Sequence, residues 1–168
     1  PELLRADALF GRILADHARG IAFLLSDGVR PSNKEAGYVL RRLIRRLTTH
    51  LYLAGNPVAP EHLFAEVLEH YGPFYPELKR EVILEEFAAE RERFEKTLAT
   101  GLKELEKIRT IDARNAFELF SSFGLPYEVI KELGKEKARR LVREEFEKEF
   151  EKHREVSRAG QEKKFGGH

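Results

Sequence analysis

Four arginines, Arg41, Arg42, Arg45 and Arg46, fall within a short stretch, and from Ala36 to Leu53 the chain carries no acid. A guanidinium is a planar fork of donors that matches phosphate oxygens and base edges, so arginine rather than lysine at such a density points to a polyanion. On a helix advancing about 100° per residue, Leu40, Leu43, Ile44, Leu47 and Leu51 form one apolar face. Tyr38, Arg42, Arg45 and Thr49 then lie nearly opposite, flanked by Arg41 and Arg46. No carboxylate stands three or four positions away inside this stretch to neutralise them. Tyr38 adds a ring for stacking or a hydroxyl for a phosphate. Two readings are open: a nucleic-acid face, and a surface helix whose arginines pair with acids on another helix. The dominance of arginine favours the first.

Asn33 precedes this helix in a loop punctuated by Gly28 and Pro31, between Arg30 and Lys34. Its amide offers both a donor and an acceptor, as reading a base-pair edge requires. The local sequence favours a plainer use, in which Asn33 or Ser32 caps the first free N–H groups of the helix. One amide cannot readily serve both, so capping by Ser32 would release Asn33. Arg30 and Lys34 are candidates to join the four arginines on backbone phosphates.

Other chemistry is thinly represented. Asp16 and His17 are adjacent, and adjacent helix positions diverge by about 100°, which argues for a structural or interfacial role rather than an acid–base pair. The remaining histidines, at 50, 62, 70, 153 and 168, stand singly, with none paired at the i, i+4 spacing of a metal site. There is no phosphate-binding glycine loop and no G-x-S-x-G turn. With no cysteine in 168 residues, disulfides, thiolate zinc sites and a cysteine nucleophile are excluded. The sequence displays no active site of its own.

The elements that must position these residues read as helices throughout. Period-two alternation is absent and apolar residues recur at three and four spacing. A first helix is expected over 2–25, with Leu9, Ile13, Leu14, Ala18, Ile21 and Leu25 as its stripe. A loop over 26–33 follows, then a second helix over 34–54 and a third from Pro60 to about Tyr71. A long helix is expected from 77 to about 108, its apolar positions (Leu78, Val82, Ile83, Phe87, Phe94, Leu98, Leu102, Leu105) stepping by three, four or seven. Gly101 interrupts it at about 1 kcal/mol relative to alanine unless close packing uses the missing side chain. Asp112 caps a shorter helix closed by Gly124, Pro126 starts another closed by Gly134, and a charged helix over 135–159 ends the fold. The expectation is an all-α, irregular bundle of six to seven helices with one long helix near the middle. Its parts are a subdomain over 1–109, a second over 110–160 and a flexible tail over 161–168.

The net charge of +1 hides an asymmetry: 9 basic against 5 acidic residues up to Leu53, and a slightly acidic remainder. A nucleic-acid footprint is therefore expected in the first third. No apolar run approaches the roughly 18 residues of a membrane span, and no signal pattern opens the chain, which reads as soluble and cytoplasmic without a membrane partner. A start at Pro1 and the lack of methionine read as a piece of a longer polypeptide.

The segment "ADHARGIAFLLSDGVRPSNKEAGYVLRRLIRR", positions 15 to 46, resembles alanyl-tRNA synthetases. The string D-G-x-x-P-S-N followed by A-G-Y-V-L-R-R and I-R-R carries the likeness without a gap. It continues through "YPELKREVILEEFAAERERFEKTLATGLKELEK", "NAFELFSSFGLPYEVI" and "KHREVSRAGQEKKFGG", covering nearly the whole chain. The resemblance implies a helical domain that docks the acceptor stem of tRNA(Ala), between a class II catalytic domain using ATP and Mg and an editing domain that binds Zn. No cofactor is expected within this stretch, and the other two domains become its partners in the parent chain.

In that family an asparagine of the P-S-N loop and an aspartate of an L-Y-D-x-Y-G-x-P stretch read a G·U wobble pair in the acceptor stem, whose minor groove exposes base edges. Asn33 matches the first, which shifts its reading from cap to base recognition. "LFSSFGLP" places Ser121 where the family has aspartate, so a charge-assisted bond would be replaced by a neutral and weaker one. The rival reading is a helical interaction or spacer module without RNA specificity.

Overall fold

The computed structural model describes the backbone of residues 2–165 and the side chains of residues 9–156. Among the described residues the chain forms seven α-helices, one 3₁₀ turn and no strand, so the all-α expectation holds. The chain divides into two compact units, Pro1–Lys96 and Thr97–His168.

The first unit contains α1 (Glu2–Ser26), α2 (Glu35–Leu53), α3 (Pro60–Tyr71) and the first turns of α4 (Arg80–Lys107). α1 packs against both α2 and α3. One core joins Leu14, Ala18, Ile21, Ala22 and Leu25 of α1 to Leu40, Ile44, Leu47 and Leu51 of α2, Phe64 and Val67 of α3, and Ile83 and Phe87 of α4. The apolar face expected of α2 is thus the buried one. Leu9 departs from the expected α1 stripe and is 60% exposed, because five residues at about 100° each set it about 140° away from Leu14. Pro60 opens α3 as its first residue, where the lack of an N–H costs nothing.

The second unit contains the last turns of α4, α5 (Ala113–Phe123), α6 (Tyr127–Gly134), a 3₁₀ turn (Lys135–Ala138) and α7 (Arg143–Phe165). Asp112 caps α5 by accepting from the Asn115 N–H at 2.8 Å, and Gly124 closes it in the left-handed region. Gly101 is used as anticipated: a Cβ there would lie 2.7 Å from the Phe123 Cβ. Phe117, Phe120, Phe146 and Phe150 pack ring to ring between α5 and α7.

The single helix expected from Lys135 is broken. The 3₁₀ turn and the bend that follows it bury Ala138 and Leu141. Lys131 Nζ holds the bend by donating to the carbonyls of Ala138 at 2.7 Å, Arg139 at 3.3 Å and Leu141 at 2.7 Å. The Tyr127 hydroxyl also donates to the Leu141 carbonyl, at 3.3 Å. Helical backbone then runs to Phe165; the rest of the expected flexible tail, 166–168, lies outside the described residues.

Candidate nucleic-acid interface

Residues 27–34 link α1 to α2, and their shape is set by a close approach to the first turn of α2. Gly37 is buried, and a Cβ there would run into Ser32 Oγ and stand 2.5 Å from the Arg30 carbonyl oxygen. Only glycine lets the loop lie so near the helix. The Ser32 N–H donates to the Gly37 carbonyl at 3.0 Å. Its hydroxyl accepts from the Lys34 N–H at 3.2 Å and donates to the Lys34 carbonyl at 3.1 Å. Glu35 is held at φ +48°, a left-handed conformation that a side chain with a Cβ disfavours by about 1–2 kcal/mol.

The position preceding α2 is Lys34, and no side chain caps the helix. Neither Asn33 nor Ser32 therefore takes the capping role that local sequence favours. Asn33 is exposed, and its Oδ1 accepts from Arg41 Nη1 at 2.5 Å. Arg41 also donates through Nη2 to the Pro31 carbonyl at 3.2 Å, bracing the loop at two points.

The arginines of α2 divide into two groups. Arg41 and Arg45 are each only 18% exposed in their side chains, because α4 covers them with Glu90, itself 1% exposed. Arg41 Nε lies 3.1 Å from Glu90 Oε1; Arg45 approaches the same oxygen with Nε and Nη2, both at 2.9 Å. Arg93 Nη1 lies 3.7 Å from the other oxygen. The Arg45 guanidinium also sits 5.2 Å from the centre of the Phe94 ring. Burial pulls the Arg45 pKa below the ordinary arginine value, with the Glu90 carboxylate opposing that shift. The expected fully outward cationic face is thus partly an inter-helix ion-pair face, since α4 supplies the acid that α2 lacks. Thr49, placed opposite the apolar face by periodicity, is buried and donates to the Arg45 carbonyl at 2.8 Å.

Arg42 and Arg46 are half-buried, and the Arg42 guanidinium sits 5.4 Å from the centre of the half-buried Tyr38 ring. Lys34 is exposed at the loop end. Arg30 donates to the carbonyls of Val29 at 2.9 Å and Leu25 at 3.2 Å, and its Nε lies 3.0 Å from Glu86 Oε1. The first unit thus gathers Arg30, Asn33, Lys34, Tyr38, Arg41, Arg42, Arg45 and Arg46 on one loop and one helix. Ser121 lies in the second unit, exposed near the end of α5, its hydroxyl donating to the Glu118 carbonyl at 3.3 Å.

Sequence reasoning missed Glu90 and Gly37. Asp16 and His17 stay apart in role: Asp16 pairs with Arg19 at 3.3 Å, and His17 is buried. Among the described residues no group of three or more His, Asp and Glu side chains converges to hold a metal ion. No helix among them is long and apolar enough to cross a membrane.

A helical segment with an arginine-bearing helix and a braced asparagine loop matches one family along nearly its whole length: residues 5–167 fit the model of the tRNA synthetases class II (A). The chain belongs to that family. Within it the likeness is to alanine–tRNA ligases. The enzyme of that name from Pseudothermotoga lettingae is 40% identical over 158 residues, covering 89% of this chain and 18% of the relative. That from Elusimicrobium minutum is 42% identical over 156 residues, with 88% and 18% covered. The Caulobacter vibrioides relative is 37% identical over 164 residues, with 92% and 19% covered. The chain thus spans under a fifth of the length of these relatives.

Proposed function

We propose that this segment binds the acceptor stem of tRNA(Ala) and reads its G·U wobble pair, serving tRNA aminoacylation by a parent alanyl-tRNA synthetase in the cytoplasm. The observation that carries the reading is the exposed Asn33 amide, on a loop braced by Arg41, beside the exposed Lys34 and the half-buried Tyr38, Arg42 and Arg46. Side chains that contact phosphates position a nucleic acid, and groups that reach base edges specify it. Lys34, Arg42 and Arg46, with Arg30, grip the backbone and Asn33 reads the pair; Ser121, in the second unit, can offer RNA only a neutral and weaker contact. Arg41 and Arg45, paired with Glu90, shape the surface more than they touch RNA. The ATP and Mg chemistry would belong to the catalytic domain of the parent chain, and Zn to its editing domain.

The test is binding of acceptor-stem minihelices carrying G·U or G·C, measured across salt concentration. Arg42→Ala should weaken both stems alike and flatten the salt dependence by about one counterion. Asn33→Ala should remove the preference for G·U and leave the salt slope unchanged. Equal loss on both stems would mean that Asn33 holds the RNA without reading the pair, and no loss on either stem would support the spacer reading instead.

A further inference from the structure

The geometry points to a fixed polarity in the reading group: Asn33 presents a hydrogen-bond donor to the RNA, and Glu90 is the positioning residue that sets it. This rests on Asn33 reading the acceptor stem, and adds which atom does so. A guanidinium has five N–H donors and no acceptor, so the amide atom facing Arg41 is the oxygen by chemistry alone. Oδ1 accepts from Arg41 Nη1 at 2.5 Å. The exposed group left for a ligand is the Nδ2 amide, which has no hydrogen-bond partner among the described residues.

Arg41 is not free to turn away. Its Nη2 is bonded to the Pro31 carbonyl and its Nε lies 3.1 Å from the Glu90 carboxylate, which is buried and shared with Arg45. The chain of contacts Glu90 to Arg41 to Asn33 runs from the interior of the first unit to its surface. The buried carboxylate holds the guanidinium by charge, without a hydrogen bond from Nε, and the guanidinium orients the amide. A donor in the RNA minor groove meets acceptors: a pyrimidine O2, a purine N3 or a ribose 2′-hydroxyl oxygen. It cannot accept from the guanine 2-amino group, so that group must be read by something other than Asn33.

The experiment measures the affinity of the full 168-residue chain for minihelices with G·U and with inosine·U, which differs only by lacking the 2-amino group. Asn33→Ala should weaken both by the same factor, about 3- to 10-fold for one hydrogen bond. Asn33→Asp, which keeps an oxygen toward Arg41 but replaces the outward donor by an acceptor, should lose at least the Asn33→Ala factor on both stems. In a Glu90→Gln background, with folding verified by circular dichroism, the Asn33→Ala factor should fall to near one, because the amide is no longer held. If Glu90→Gln does not fold, Arg41→Lys tests the same link, since one ammonium cannot span Glu90, Pro31 and Asn33. Substituting 2-thiouridine, 3-deazaguanosine or 2′-deoxyribose at the pair identifies the acceptor as the change that abolishes the Asn33→Ala factor.

The inference is overturned if the Asn33→Ala factor disappears on inosine·U, if Asn33→Asp keeps the affinity of the unaltered chain, if the full factor persists in the folded Glu90 or Arg41 variant, or if no acceptor substitution reduces it. The underlying reading fails differently: Asn33→Ala would then bind G·U as well as the unaltered chain.

Discussion

Gly37→Ala separates helix propensity from tertiary packing, because the two make opposite predictions. In an exposed helix interior the change stabilises by about 1 kcal/mol. Here the new Cβ would overlap Ser32 Oγ, stand 2.5 Å from the Arg30 carbonyl oxygen and 3.0 Å from Ser32 Cβ. The serine hydroxyl can rotate away only by giving up its bonds to Lys34, each worth about 1 kcal/mol net. The Arg30 carbonyl is backbone and can move only with the loop, an overpacking that costs about 1–3 kcal/mol. The balance is a net destabilisation of about 2–4 kcal/mol once the propensity gain is subtracted. Urea unfolding followed by tyrosine fluorescence suits the measurement, since Tyr38, Tyr52, Tyr71 and Tyr75 lie in the first unit and only Tyr127 in the second. Ser32→Ala, which removes the same two bonds by itself, should cost little further when added to Gly37→Ala, leaving the Arg30 portion unchanged. A Gly37→Ala chain as stable as the original, or more so, would refute the close approach of loop and helix.

Two further outcomes concern the second unit. Lys131→Met keeps the aliphatic stem but removes the charged donor to three carbonyls; a loss of about 2–3 kcal/mol is expected in urea unfolding, with amide exchange accelerating first around Leu141. Burial pushes the Tyr127 hydroxyl pKa up, with Arg143 opposing and Glu144, Glu128 and Glu147 adding to the rise. A pKa above the unfolded value means that the stabilisation is complete below about pH 10 and is lost as pH rises through the folded value. Tyr127→Phe should therefore flatten the alkaline limb of a pH series of unfolding midpoints, and an unchanged limb would refute the assignment.

Local signals carried most of the helical plan. Asp112 and Gly124 bracket α5 as their chemistry dictates, and Gly101 lies where Phe123 needs space. The bend after α6 was hidden because its cause, Lys131 reaching carbonyls seven to ten residues on, is a tertiary contact inside a stretch of ordinary helix formers. The arginines of α2 show the same limit from the other side. Their sequence neighbourhood contains no acid, so periodicity turns them outward, yet the neutralising carboxylate arrives from α4. One trace of it was legible: the apolar stripe of α4 skips from Phe87 to Phe94, and Glu90 occupies the position in that gap where a core residue belongs. An acid on a buried stripe asks for a cationic partner, and the arginines of α2 have no acid of their own between Ala36 and Leu53.

That pairing bears on recognition as well as on stability. A buried ion pair adds little net stability compared with apolar packing, whereas removing one partner strands a charge and costs about 3–5 kcal/mol. Glu90 is thus better understood through the geometry it imposes than through the energy it adds. Two guanidiniums around one carboxylate still leave a net positive charge, so the field of α2 continues to favour an anionic ligand while two of its side chains are held in place. The constraint reaches Asn33 through Arg41, and a side chain ordered before binding avoids about 0.5–1.5 kcal/mol of immobilisation when a ligand arrives. Under the proposed function, Arg41 and Arg45 serve specificity by orienting the loop rather than by reaching phosphate.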